Sequence, residues 1–261
     1  MKNEKASVLI LVLWVLIILS LLSMAVSSRS SSDIKLAKYE ADSVKSLYLA
    51  RAGVAKAIAE LNKDNSGFTS LNQDWNKEKE FGFGGGVVKY SASDEEGLVN
   101  LNGQVLKKEN LKSLGMDDNL SDSIMNYKNI KKRDKGFEFM EELFLINGMT
   151  KDIYDAIEPY ATIYRGDDSK VNINTASENV LMAITGSAIQ TAVILDYRDE
   201  GGVFQNDTEV SAKELDPNIF SVRSDFFRII AGASFSEDKE AGKVITAVVD
   251  RAGKIYYWKE E

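Results

Sequence analysis

Cysteine and histidine are both absent from the 261-residue chain, and proline occurs only twice. Without thiol or imidazole there is no disulfide, no thiolate nucleophile, no Ser/His/Asp triad and none of the common zinc-ligand sets. The remaining enzymatic route is a pair of carboxylates acting as acid and base, but no spacing among the 40 Asp and Glu residues selects one. No catalytic residue and no cofactor is therefore expected. The missing cysteines do not identify a compartment, because exported proteins can lack disulfides and cytosolic ones can lack thiols. With 44% apolar residues and a net charge of -8 the chain can still bury a core.

Two further absences organise the N-terminal quarter. No charged residue lies between Ala6 and Ser28, and no glycine or proline precedes Gly53. Residues 8–26 (VLILVLWVLIILSLLSMAV) are apolar except for Ser20 and Ser23, a run long enough to cross a ~30 Å hydrocarbon core as a helix. Lys2 and Lys5, partly offset by Glu4, favour a cytoplasmic N-terminus. A cleaved secretory signal is the competing reading, with small residues at Ser23-Met24-Ala25. The apolar run exceeds the usual ~7–15 residue core of such signals, and a helical pattern continues past the cut. Beyond the span, Ala37, Ala41, Val44, Tyr48, the stem of Arg51, Val54, Ala55, Ile58 and Leu61 recur at three- and four-residue steps. One helix over residues 7–62 is predicted, apolar all round in 7–28 and amphipathic in 29–62, its stripe serving both the sheet and partner helices.

Residues 62–86 are polar and glycine-rich and read as a loop; their glycines have no phosphate-loop spacing. Short β-prone runs at 87–93 and 98–101, separated by Asp94-Glu95-Glu96-Gly97, read as a hairpin, and 226–235, 243–250 and 254–259 as three more strands. The aromatic pairs Phe226-Phe227 and Tyr256-Tyr257-Trp258 suit a sheet core with one open edge. The fold class is α+β: a long N-terminal helix packed on a small antiparallel sheet formed by 63–103 and 220–261, with an all-helical domain at 104–219 inserted between strands. Within the insertion, Thr150 is placed to cap a helix ending near Pro159, and Thr175 with Glu178 has capping-box spacing.

The apolar anchor with its amphipathic continuation resembles the type IV pilin superfamily. That resemblance implies a leader at residues 1–6, processing by prepilin peptidase between Ala6 and Ser7, and a glutamate at the fifth mature position, where Leu11 stands here. A subunit without that carboxylate is unsuited to repeat along a filament, where it would neutralise a neighbour's terminal ammonium. The insertion (EELFLINGMT at 141–150, Tyr154, Pro159-Tyr160, VNINTA at 171–176), together with SDEEGLVNLN at 93–102 and Arg223-Ser224-Asp225, resembles the K-type minor pseudopilins of type II secretion. This implies a filament-tip subunit anchored by one span in the inner membrane with its bulk periplasmic. The implied partners are I- and J-type minor pseudopilins, the major pseudopilin, prepilin peptidase and membrane lipid, with no small-molecule substrate. Ala37, Ala41, Val44, Tyr48, Ala55 and Ile58 are the expected partner-helix interface. Some K-type members bind calcium, but the corresponding segment at 127–135 (YKNIKKRDK) is basic, so no metal is expected; Asp117-Asp118 and Asp167-Asp168 read as solvated turns.

A different function is suggested by residues 171–210, which also resemble the helix-hairpin-helix of membrane-anchored DNA receptors. Against it, residues 137–210 hold 4 basic and 14 acidic side chains, a net of -10. DNA affinity depends largely on neutralising phosphates, so no nucleic-acid partner is expected.

Overall fold

The computed structural model describes residues 2–104, 106–131, 136–165, 170–235 and 242–261, without the side chains of residues 2–7 and 131. Helix α1 spans Lys2–Lys63, about 93 Å at ~1.5 Å per residue. No residue before Gly53 breaks it, and its hydroxyls find carbonyls one turn back: Ser20 Oγ donates to the Leu16 carbonyl at 2.8 Å. Among the described residues it is the single helix long and apolar enough to cross a membrane.

Five strands form one antiparallel sheet in the order β1-β2-β7-β8-β9. They are β1 (Lys79–Phe83), β2 (Gly86–Asp94), β7 (Phe226–Ser234), β8 (Lys243–Asp250) and β9 (Ile255–Glu260). Strands β2 and β7 alternate buried and less buried residues, so Val88, Tyr90 and Ala92 with Phe227, Ile229, Ala231 and Ala233 face α1. The helix contributes Leu49, Ala50, Val54, Ala57 and Leu61 to this core. Close approach is enforced at Gly53, where a Cβ would lie 2.8 Å from Val88 Cγ1 and 3.0 Å from Ala231 Cβ.

Between β2 and β7 the chain builds a second core. It contains β3 (Val99–Asn100), α2 (Lys108–Ser113), α3 (Asp118–Lys131), α4 (Lys151–Ile157), β4 (Ala161–Thr162), β5 (Val171–Asn172), α5 (Glu178–Thr185), α6 (Ala188–Asp199), α7 (Asp207–Ala212) and β6 (Phe220–Ser221). Leu111, Ile124, Leu143, Ile173, Leu181, Ile194, Phe204 and Phe220 are fully buried there. The α+β architecture of long helix, antiparallel sheet and inserted helices agrees with the sequence reading.

Three details differ. The strand at 98–101 does not form a hairpin with 87–93: Val99–Asn100 pairs in parallel with β4, and β5 pairs in parallel with β6. The insertion is thus stitched by two short ladders and is not purely helical. The hairpin partner of β2 is β1, in a segment expected to be loop, and Gly84 and Gly85 both take positive φ (57° and 86°) in the turn between them. Finally, Thr175 does not cap α5. Ser177 does, its side chain accepting from the Val180 N–H, because the Thr175 hydroxyl is committed to Asp94.

Candidate functional site: the helix flank and the interdomain joint

Helix α1 has two unlike halves. From Val8 to Val26 every large apolar side chain is exposed, over a length and with a composition that suffice to cross a membrane. Leu11 is one of them. The backbone at Ala6 and Ser7 is helical, but their side chains lie outside the described residues.

In the second half the sheet claims one face only. Buried Ser46, Leu49, Ala50, Gly53, Val54, Ala57 and Leu61 form the sheet-facing stripe, displaced around the helix from much of the stripe read from the sequence. Of the expected interface, Ala37, Ala41, Val44, Tyr48 and Ala55 are exposed and Ile58 is half-buried beside Gly253. Tyr48 is 63% exposed and Val44 54%. The expectation that one stripe would serve both sheet and partners holds for the sheet at Val54, Ile58 and Leu61, and is corrected nearer the N-terminus, where the sheet takes the next face round through Ser46, Leu49, Ala50 and Gly53.

The exposed flank borders β9. Arg51 donates to Glu260 Oε1 at 3.1 and 2.7 Å, Trp258 Nε1 donates to the same oxygen at 2.9 Å, and the Arg51 guanidinium lies 5.4 Å from the Tyr48 ring centroid. Tyr48, Arg51 and Trp258 thus form a continuous aromatic and charged edge to the apolar flank. Deeper, Glu60 accepts from Lys79 Nζ at 2.9 Å and from the Tyr90 hydroxyl at 2.8 Å. Burial opposes the Glu60 charge, but these bonds outweigh it and hold the carboxyl below its usual range, while burial and Glu60 push the Tyr90 phenol up to about 12.

Where the chain crosses between sheet and insertion, the run Asp94-Glu95-Glu96 forms a joint of three inward-turned carboxylates. Asp94 Oδ2 accepts from Asn172 Nδ2 (2.9 Å), the Thr175 hydroxyl (2.5 Å) and the Ser224 hydroxyl (2.6 Å), and Oδ1 accepts from the Glu96 N–H (2.8 Å). Glu95, 1% exposed, accepts from the Thr162 hydroxyl and, through both oxygens, from Arg228. Glu96 accepts from Arg165 and from the N–H groups of Asp225 and Phe226. Burial pushes the Asp94 carboxyl above the ordinary carboxylate range despite its four donors. Burial likewise works against the Arg228 charge, but Glu95 more than restores it and holds the guanidinium above its usual value. Below the joint, Arg251 donates to the Leu61 carbonyl, to Asp64, to Thr69 and to the Ser224 carbonyl, closing the C-terminus of α1.

Sequence reasoning read 94–97 as a hairpin turn and missed Arg251. The available signal was three consecutive acids flanked by strand residues, which becomes meaningful only once donors from 162, 172, 175, 224 and 228 are brought to them. Asp117 accepts from the Leu120 N–H at the start of α3, and Asp118 pairs with Lys108 and Lys112; Asp167 and Asp168 lie outside the described residues. Among the described residues no group of three or more acids is placed to hold a metal ion.

No family model and no curated protein matches the sequence. Among solved structures, the fold is similar to a chain of the GspK–GspI–GspJ complex of the type 2 secretion system of enterotoxigenic Escherichia coli. The TM-score is 0.58 over 89% of this chain and 99% of that one, at 14% sequence identity.

Proposed function

We propose that this chain is a minor pseudopilin of type II secretion, of the K type, anchored by the first half of α1 in the inner membrane with its bulk in the periplasm. The observation that carries the reading is the division of labour along α1. One half is apolar on every side, and the other presents one face to its own sheet and an unoccupied flank of Ala37, Ala41, Val44 and Tyr48 to the outside. A subunit that packs against parallel copies of such a helix needs this arrangement, and small residues permit close helix approach. The likeness to a chain of a three-pseudopilin complex supports I- and J-type subunits as the occupants of that flank.

In this reading prepilin peptidase cleaves between Ala6 and Ser7, and the role is structural and not catalytic. Leu11 at the fifth mature position suits a subunit at the filament tip, where it starts or caps assembly with the other minor and major pseudopilins. The experiment is co-purification of the full chain, extracted from membranes in mild detergent, with co-expressed I- and J-type subunits. A stable ternary complex is expected; recovery of the chain alone would overturn the tip role.

A further inference from the structure

The sheet face opposite α1 is partly roofed by the insertion, and a groove of about 240 Å³ lies between the two. Tyr257 of β9 lines its floor, Tyr154 of α4 and Tyr164 its roof. These rings are fixed in place: Tyr164 and Tyr257 meet at a centroid distance of 5.6 Å, and Tyr154 stacks on Phe144 at 4.6 Å. Among the described residues no group accepts a hydrogen bond from any of the three hydroxyls.

The charges lining the groove do not balance. Arg228 is engaged by both oxygens of Glu95, and Lys259 pairs with Glu261 at 2.5 Å. Exposed Glu141 and Glu158, also lining it, form no ion pair among the described residues, although Glu158 lies within electrostatic reach of Arg228 and Glu141 of Lys259. The groove therefore offers ring faces and phenol oxygens inside and two carboxylates outside any ion pair. Tyrosine faces attract cations, and a guanidinium alone combines a flat surface that stacks on rings with five N–H donors directed at carboxylates. An ammonium would satisfy the charge but not the stacking.

We propose that this groove is a docking slot for an arginine side chain presented by a partner protein. The slot does not depend on the filament reading: arginine could bind here while co-purification with pseudopilins failed, and the reverse. The test uses the full chain in detergent micelles with ¹³C-labelled tyrosine, followed by NMR during titration with acetyl-arginine methylamide, its neutral citrulline counterpart and acetyl-glutamate methylamide.

The expected result is that the Tyr154, Tyr164 and Tyr257 signals move together with arginine while Tyr39 and Tyr48 on α1 stay still. The double variant E141Q/E158Q, altered at two exposed positions, should weaken binding about tenfold with an unchanged melting temperature. Equal response to citrulline, a response to glutamate in place of arginine, an unaffected double variant or uniform movement of all tyrosines would each overturn the proposal.

Discussion

Replacing Asp94 by alanine removes the acceptor shared by four donors, and the consequence can be worked donor by donor. Asn172 keeps its bonds to the Thr69 carbonyl and Ser224 Oγ, and the Thr175 hydroxyl still reaches the Asn172 carbonyl at 3.4 Å. Among the described residues the Ser224 hydroxyl has no such fallback. One orphaned donor at about 1–3 kcal/mol, less the relief of an enclosed charge, leaves a net cost of about 1–2 kcal/mol. For a chain of this size that lowers Tm by about 2–8 °C. Thermal unfolding in micelles, followed by far-UV circular dichroism and by the fluorescence of Trp75, which packs 5.3 Å from Phe227, measures it against exposed Asp74→Ala as control.

The pH dependence of the same comparison carries a sign. Because burial raises the folded Asp94 pKa, its contribution is fully present below the unfolded value of about 3.9 and is lost as pH rises through the folded value. The gap between wild type and Asp94→Ala should therefore narrow from acid toward neutral pH. A shift no larger than that of Asp74→Ala, or a gap that widens with pH, would refute the account of the joint.

Further outcomes follow from the same geometry. Glu60→Gln should show the opposite pH sign: the folded Glu60 pKa is lowered, so its stabilisation is present above about 4.3 and lost as pH falls through the folded value, giving a wild-type advantage at pH 7 that shrinks in acid. Gly53→Ala gains about 1 kcal/mol of helix propensity but drives a methyl to within 2.8 Å of Val88. Overpacking of about 1–3 kcal/mol should win, so melting curves should show destabilisation, whereas Ala52→Gly on the exposed side should cost only about 1 kcal/mol. Arg251→Met should expose the end of α1, seen as faster amide exchange at residues 58–64 than in wild type.

Much of the architecture could be read before the structure because its signals are local. An unbroken run to Gly53 admits little but a helix, and the β-prone runs at 226–234 and 243–250 form strands, the first with one buried face. What escaped was set by partners distant in sequence. Strand β1 carries a glycine within Lys79–Phe83 and exposes most of its length, so neither alternation nor apolar content marks it. Thr175 has the spacing of a cap, yet Asp94, 81 residues earlier, competes for its hydroxyl and Ser177 takes the role. Of the apolar stripe on α1, Val54, Ile58 and Leu61 do meet the sheet, whereas nearer the N-terminus contact passes to Leu49, Ala50 and Gly53. Val44 and Tyr48 are left outside.

That outward flank is the central claim, and a chain without cysteine permits a clean test of it. Single variants Val44→Cys and Tyr48→Cys, with Lys89→Cys on the opposite sheet face as control, would be expressed in full-length form with cysteine-bearing I- and J-type subunits and crosslinked in intact membranes. The account predicts heterodimers from positions 44 and 48 and none from 89. No crosslink from the flank, or equal yield from Lys89→Cys, would contradict it.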